Sequence, residues 1–179
     1  METILVLAHV EEGNLLAQPA LEALAVAKQV AEAIPGSVLA AGLVGDRRAA
    51  RRIGSCGAAR FLAVEGERFA QPSYATDASA AEALARAAGA TLVVAAGVSR
   101  WARSLAGVAL RLEGRIDTHV TGVAVAGDSI RVTRWFYRQR MEGTLERSHR
   151  PWFLLVDPGC FEAWAGEETS VEAEPVEVE

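Results

Sequence analysis

Four short apolar runs, separated by segments with helical periodicity, constrain the fold of this 179-residue chain most strongly. The runs cover residues 3–8, 37–44, 60–64 and 91–96. Strands of a parallel sheet are apolar along their whole length, because helices cover both faces of the sheet. The alternation of such runs with helices therefore predicts an α/β fold with three layers and a mostly parallel sheet.

Helix signals fill the gaps between these runs. Residues 18–34 have Pro19 in the first turn and one apolar stripe, as an amphipathic helix does. The segment DRRAARRIGSCG predicts a short basic helix that Asp46 caps and Gly57 ends. An Ala-rich helix is predicted over residues 77–88, and GVSRWARSLAGVALRLEG predicts a loop followed by a helix with one apolar face.

The pattern changes after Gly114. The segment VTGVAVAGDSIRVTRWFY places a Gly-Asp-Ser turn between two β-rich runs, which is a hairpin signal. TLERS is a candidate for the next strand, and WFLLV at residues 152–156 predicts a final apolar strand. The sequence therefore predicts an antiparallel section added to the parallel sheet.

The last stretch, EETSVEAEPVEVE, carries the acidity of the chain. The net charge is −5, but without the six glutamates after Gly166 the remaining 17 acidic residues face 18 basic ones. We therefore expect a domain over residues 1–164 and an acidic tail or linker over residues 165–179. The valines between the acids favour an edge strand or an extended peptide, and a disordered end is the alternative.

Composition also limits location and partners. No run of 18 or more apolar residues exists, so no membrane span is expected. The opening METILVLAHVEEG lacks the basic region and the cleavage site of a signal peptide, which predicts a cytoplasmic protein. A pI of 5.3 argues against general nucleic-acid binding.

No constellation of residues predicts catalysis. The chain has no GxGxxG and no GxxxxGK[ST] phosphate loop, and its three histidines have no partner at a metal-binding spacing. His9 follows the first apolar run, where we expect a loop residue facing solvent. The sequence therefore predicts neither an enzyme nor a metal site.

One weak candidate for an anion site follows the fourth run. Gly97, Ser99, Arg100 and Arg103 stand where a helix begins, and a helix N-terminus attracts anions. Ser99 would cap the helix and the arginines would approach a phosphate. The alternative is that Ser99 only caps the helix and that both arginines are solvated.

A second candidate is the segment of residues 131–150, which has six arginines around Trp135, Phe136 and Tyr137. Three explanations stay open: single-stranded nucleic-acid binding, a protein interface rich in hot-spot residues, and strand alternation with one buried face. The residues predicted for an interface are Arg134, Phe136, Tyr137, Arg138 and Arg140.

Several stretches, in order, resemble a known family. They are ILVLAHVEEGNLLAQPALEALAVAKQVA, GSCGAARFLAVEGERF, ATLVVAAGVSRWARSLAGVALRLEGRIDTHVTGV, IRVTRWFYRQRMEGTL and WFLLVDPGCF. Together they resemble the N-terminal domain of the electron-transfer flavoprotein alpha subunit, over about residues 2–164. Two stretches depart from the family pattern: Trp101-Ala102-Arg103 where a glycine is common, and Tyr137-Arg138-Gln139-Arg140 where Tyr-Ala-Gly-Asn is usual. Bulky and cationic side chains thus replace residues that let a partner approach.

The resemblance implies a fold of the nucleotide-binding, adenine nucleotide alpha hydrolase type with added strands. It also implies a heterodimer with a beta-type subunit that carries AMP, and an FAD held by a second alpha-subunit domain beyond an acidic linker. On this basis the tail is that linker, the FAD-binding C-terminal domain is absent from this chain, and the chain alone is not expected to bind FAD.

Two functions follow as expectations. The first is a non-catalytic scaffold that pairs with a beta-type subunit, with flavin on another chain, for electron transfer from dehydrogenases to an acceptor. The alternative is a nucleotide- or small-anion-binding module of the universal-stress-protein-like class, which would bind its ligand in the loops after the first and fourth strands.

Overall fold

The computed structural model describes residues 1–178, in which three α-helices pack on one sheet of ten strands. The helices are α1 (Gln18–Ala33), α2 (Tyr74–Ala88) and α3 (Ser99–Arg111), with 3₁₀-helices at Glu12–Asn14, Arg47–Cys56 and Glu67–Phe69. The strands are β1 (Thr3–Glu11), β2 (Leu15–Leu16), β3 (Val38–Val44), β4 (Arg60–Val64), β5 (Leu92–Ala96), β6 (Arg115–Ala126), β7 (Ser129–Phe136), β8 (Met141–Glu146), β9 (Trp152–Val156) and β10 (Glu174–Pro175).

The strand order across the sheet is β10-β4-β3-β1-β5-β9-β6-β7-β8, and β2 pairs with the end of β1. All pairs from β10 to β6 are parallel. The pairs β6–β7 and β7–β8 are antiparallel, and we call these three strands the antiparallel arm. The predicted fold, a mostly parallel sheet between helices with an added antiparallel section, is confirmed.

The central strand β1 shows how the three layers are held together. Ile4 and Val6 face the core that α1 and the 3₁₀-helix Arg47–Cys56 cover. Leu5 and Leu7, which alternate with them, face the core under α2 and α3. All four side chains are buried, and each contributes about 1.5–3 kcal/mol through burial. The uninterrupted apolar run thus reflects a strand that is buried on both faces.

The first strand is longer than its apolar run. It continues to Glu11 because Val10 and Glu11 pair antiparallel with Leu16 and Leu15 of β2. The expectation of a loop histidine was therefore wrong, since His9 lies inside β1.

The second helix also starts earlier than predicted. It begins at Tyr74, because Ser73 after Pro72 is extended and the chain turns helical directly behind it. The polar first turn has no apolar periodicity, so the sequence pattern starts only at Asp77. Gly89, in the left-handed conformation at φ 62°, ends the helix.

The acidic tail runs back over the β4 edge of its own chain. Its strand β10 pairs in parallel with β4, with Glu174 opposite Leu62 and Pro175 opposite Ala63. Ala173 is buried. The division into a domain of residues 1–164 and a separate tail stays a prediction.

Candidate functional site

Two adjoining hollows lie at the carboxyl edge of the parallel sheet, where ligands usually bind in open α/β folds. The first, which we call the α3 hollow, has a volume of about 320 Å³ and lies between the end of β1 and the starts of α1 and α3. The second, the acidic hollow, has a volume of about 570 Å³ and shares His9 and Glu11 with the first. The edge thus forms one cleft with two different halves.

Carboxylates dominate the acidic hollow. Asp46 accepts hydrogen bonds from the side chain and the backbone N–H of Arg48, and these bonds lower the pKa of Asp46 to about 2. Because negative charges repel one another, this half of the cleft disfavours a phosphate. Its five carboxylates belong to Glu11, Glu12, Asp46, Glu65 and Glu67.

The four residues predicted for an anion site all lie in the loop and first turns between β5 and α3. The backbone N–H of Gly97 donates to the carbonyl oxygen of Val156 at 2.7 Å, so this amide is already used. Ser99 and Arg103 are exposed. The predicted cap was wrong: Val98 occupies the N-cap position and Ser99 is already helical, so no side chain caps the helix. The first amides of α3 thus keep the partial positive charge of a helix N-terminus.

Arg100 turns into the protein and is only 7% exposed, so the expectation of a solvated arginine was wrong for this residue. Its Nε donates to Asp77 Oδ1 at 2.8 Å and its Nη2 donates to the Phe69 carbonyl oxygen at 2.6 Å. Arg100 Nη1 and Asp77 Oδ2 are both buried without a partner among the described residues. A buried polar atom without a partner costs about 1–3 kcal/mol, so this ion pair has unused hydrogen-bonding capacity on both partners.

His9 lies in the wall shared by both halves of the cleft. Burial, together with the positive charge of Arg100, lowers the pKa of His9 to about 4. The imidazole is therefore neutral at pH 7, and the cleft presents a neutral ring beside the buried guanidinium.

The outer end of the antiparallel arm has a strained backbone. Tyr137, Arg138 and Gln139 have φ values of 49°, 56° and 64°, a left-handed conformation that costs about 1–2 kcal/mol for each non-glycine residue. Tyr137 is 74% exposed and Met141, at the start of β8, is 57% exposed. The arm thus presents an aromatic ring and neighbouring cationic side chains to solvent.

The five residues predicted for an interface divide into two groups. The guanidinium of Arg134 lies 4.4 Å from the centre of the Phe136 ring and donates to Asp117 Oδ1 at 3.0 Å, so both side chains pack against the arm. Tyr137, Arg138 and Arg140 are exposed.

Asp117, which sequence reasoning missed, is the centre of a second buried cluster. Besides Arg134, it accepts from Arg147 Nε at 2.5 Å, from Arg147 Nη2 at 2.9 Å and from Trp152 Nε1 at 2.8 Å. Burial alone would raise the pKa of Asp117, but the hydrogen bonds from Arg147 and Trp152 hold this pKa below its ordinary value. The cluster ties β6 to β7, to β9 and to the segment before β9.

A comparison with protein families gives a match along nearly the whole chain. The model of the electron transfer flavoprotein domain matches residues 4–179. The chain belongs to the electron transfer flavoprotein domain family. Among curated proteins, no sequence matches it significantly.

Within residues 1–178, no three His, Cys, Asp or Glu side chains are grouped so that they could hold a metal ion. No helix in the same span has the length and apolar character needed to cross a membrane. The described residues form a cleft with a buried, under-paired guanidinium and an arm with an exposed aromatic and cationic end.

Proposed function

We propose that this electron transfer flavoprotein domain is an alpha-type, non-catalytic scaffold that works in the cytoplasm and pairs with a beta-type subunit. In that complex electrons pass from dehydrogenases to an acceptor. The observation that carries the proposal is the outer end of the antiparallel arm. There, β8 pairs with β7 on one side only, and the strained loop of residues 137–139 holds Tyr137 out into solvent.

Strain at the loop supports a binding role, because unfavourable backbone conformations persist where the surrounding structure imposes them and cluster at functional sites. Tyr and Arg are also enriched among the residues that dominate interface energies. The arm therefore has the chemistry of a protein interface at the place where its backbone is least relaxed.

Charge pairing in the arm favours a protein partner over single-stranded nucleic acid. Four of the six arginines in residues 131–150 are paired with carboxylates, which leaves no basic stripe that could follow a phosphate backbone. The pairs are Arg131 with Glu146, Arg134 and Arg147 with Asp117, and Arg150 with Glu2.

In this proposal the FAD lies on another chain and AMP is carried by the beta-type partner. Three carboxylates of the acidic hollow, those of Glu11, Glu12 and Glu67, have no cationic partner among the described residues. They support this assignment, because they would repel the pyrophosphate of a flavin dinucleotide laid along the cleft. The chain's own residues would then position the partner rather than the flavin.

Co-purification with a beta-type electron transfer flavoprotein subunit tests the pairing. We expect the double variant Tyr137→Ala/Arg138→Glu to weaken the complex at least ~10-fold, since it removes an aromatic anchor and reverses a charge. Arg51→Glu, the same charge reversal at an exposed position on the 3₁₀-helix Arg47–Cys56, is the matched control and should leave the complex intact. Arg134 is unsuitable for this test because it holds Asp117. A complex that tolerates the double variant would contradict the assigned surface.

The α3 hollow supports a second candidate function, the binding of a small anion or nucleotide. The specific observation is the unpartnered Nη1 of Arg100, next to the uncapped start of α3 and exposed Arg103. Calorimetry with AMP and with inorganic phosphate tests it. We expect Arg103→Ala to abolish the binding heat and Arg51→Ala, an exposed change on another element, to retain it. A wild-type chain that shows no heat with either ligand would exclude this function.

A further inference from the structure

The acidic tail lies in a groove between the 3₁₀-helix Arg47–Cys56 and the edge strand β4. We call residues 167–178 the strap. Its backbone donates at three separate points: from Thr169 to the Arg51 carbonyl oxygen at 2.9 Å, from Ala173 to that of Arg47 at 3.4 Å, and from Val176 to that of Ala63 at 2.7 Å. The strap is therefore seated along its whole length.

Small apolar side chains of the strap point inward on both faces of the sheet. Val171 and Ala173 pack on the core under α1. Beyond Pro175 the alternation shifts by one residue, and Val176 and Val178 pack on the opposite core, under α2 and α3. The strap thus wraps around the β4 edge from one face to the other, which accounts for the spacing of its valines.

The acidic side chains of the strap point outward to arginines that line the groove. Arg47 Nε lies 2.9 Å from Glu172 and Arg60 Nη2 lies 3.1 Å from Glu174, while Arg52 pairs with Glu168. All six side chains are 41–59% exposed. Exposed ion pairs are weak and are screened by salt, so these contacts select an acidic segment without fixing it permanently.

The floor of the groove is shaped for this backbone. A Cβ at Gly54 would lie 1.7 Å from Thr169 Oγ1 and 2.8 Å from Val171 Cγ1, so the strap approaches as closely as only glycine permits. Next to it, Ser55 Oγ donates to the Glu167 carbonyl oxygen at 2.7 Å and accepts from the Glu167 N–H at 2.9 Å. The two Ser55 hydrogen bonds recognise the backbone of the strap, whereas the arginines recognise its negative charge.

We propose that this groove is a recognition site for an extended acidic segment with small apolar side chains at alternate positions, and that the strap occupies it reversibly. The ladder between β10 and β4 covers two residues only, and the outer contacts are exposed ion pairs. When these pairs are weakened, the strap opens more often, and in the open state the edge of β4 is free to pair with an equivalent acidic strand. The occupant in the resting chain is its own strap.

Hydrogen exchange of the full chain tests the reversible part. The strap variant replaces three glutamates by glutamine, and we expect the amides of Thr169, Ala173 and Val176 to exchange at least 10-fold faster than in the wild type at low salt. Wild type in 1 M NaCl should behave like this variant, since screening then acts within about 3 Å. If the exchange rates are unchanged both in the strap variant and in the wild type at 1 M NaCl, the ion pairs do not control the opening of the strap. The strap variant is Glu168→Gln/Glu172→Gln/Glu174→Gln, and the matched control at exposed positions elsewhere is Glu12→Gln/Glu113→Gln/Glu142→Gln.

A labelled peptide of residues 166–178, added in trans, tests the recognition itself by fluorescence anisotropy. We expect it to bind the strap variant, to bind the wild type at least 10-fold more weakly, and to lose binding when Gly54→Val is added to the strap variant. If the peptide fails to bind a strap variant whose strap amides have lost protection, the groove does not recognise acidic segments. Sedimentation of the wild type should give a monomer. A dimer that the strap variant no longer forms would mean that the strap of a second copy fills the groove, which would overturn occupation by the chain's own strap.

Discussion

Two buried aspartates, one in the antiparallel arm and one beside the cleft, differ in how many of their oxygens accept hydrogen bonds. Asp117 accepts hydrogen bonds from Arg134, Arg147 and Trp152, and both of its oxygens are used. Asp77 is equally buried, but only one of its oxygens is used. On both sides one arginine keeps a buried nitrogen without a partner among the described residues, Nη1 of Arg100 and Nε of Arg134, so the contrast lies in the carboxylates.

This difference distinguishes a carboxylate that holds the fold together from one that has hydrogen-bonding capacity left. A fully paired buried carboxylate holds elements in register, and Asp117 does so for the strands of the arm. An under-paired one is an exception among buried polar groups and calls for an explanation. Arg100 lines the α3 hollow, but its idle Nη1 is itself buried, so an anion in the hollow would reach it only after a neighbouring side chain moves. Both oxygens of Asp117 are used, whereas the Asp77–Arg100 pair keeps one unused acceptor and one unused donor.

We expect the largest effect from changing Asp117, the fully paired aspartate. Asp117→Asn removes the charge and turns an amide N–H₂ toward arginine and indole donors, so we expect a loss of about 3–5 kcal/mol in the free energy of unfolding. Urea denaturation followed by circular dichroism measures it. Asp128→Asn, in the exposed turn of the same arm, should stay within about 0.5 kcal/mol. Equal losses in the two variants would refute the structural role of the cluster.

The Asp77–Arg100 pair should respond differently to single and double substitutions. Asp77→Asn leaves Arg100 buried without a counter-charge and should cost about 2–3 kcal/mol. Replacing both partners, in Asp77→Leu/Arg100→Met, removes the two idle atoms but also the donor to the Phe69 carbonyl oxygen, so we expect it to cost no more than the single change. Denaturant midpoints of the single and double variants decide this. A double variant less stable than the single one would show that the pair stabilises the fold.

Local features of the fold could be predicted from the sequence. The strands β4 (Arg60–Val64) and β9 (Trp152–Val156) have the predicted boundaries, because each is a short apolar run buried along most or all of its length. The hairpin turn was also predicted, since Gly127 takes the positive φ of 62° that such a turn demands. Periodicity and turn chemistry depend only on residues that are close in the sequence, so these elements can be predicted from the sequence alone.

The contacts that make the candidate site are not local. Asp77 meets Arg100 across two helices, and Asp117 meets Trp152 across two strands. An acid among the alanines of a helix was the available signal for Asp77, but it does not tell which arginine it pairs with. The spacing of the strap's valines likewise indicated a strand, while its pairing with β4 depends on the order of strands in the sheet.

A smaller effect should follow from His9, which connects both halves of the cleft. Its pKa is about 4 in the folded chain against an ordinary 6.5, so the unfolded chain takes up the proton first as the pH falls. The wild type should therefore lose about 1–2 kcal/mol of stability between pH 6.5 and 4, after allowance for partial exposure. The lowered pKa of Asp117 acts at still lower pH, because its contribution is lost as the pH falls through the folded-state pKa.

Unfolding of wild type and His9→Gln across this pH range isolates the histidine. The stability difference between the two proteins should shrink or reverse in favour of the variant on going from pH 8 to pH 4. At pH 8 the imidazole is neutral in both the folded and the unfolded chain, so the difference there reports packing alone. A difference that stays constant with pH would mean that His9 titrates normally and that burial beside Arg100 has no consequence.

We expect the smallest effect from changing an exposed arginine in the strained loop of the arm. Arg138→Gln removes a cation that is exposed in the strained loop, whereas Arg134→Gln takes a donor from buried Asp117. We expect the first change to alter the free energy of unfolding by less than about 0.5 kcal/mol and the second to cost about 1–3 kcal/mol. Thermal unfolding of both variants provides the measurement. Because a residue kept for partner binding gives the isolated chain little stability, a clear loss in Arg138→Gln would move this arginine from the proposed interface to the structural frame of the arm.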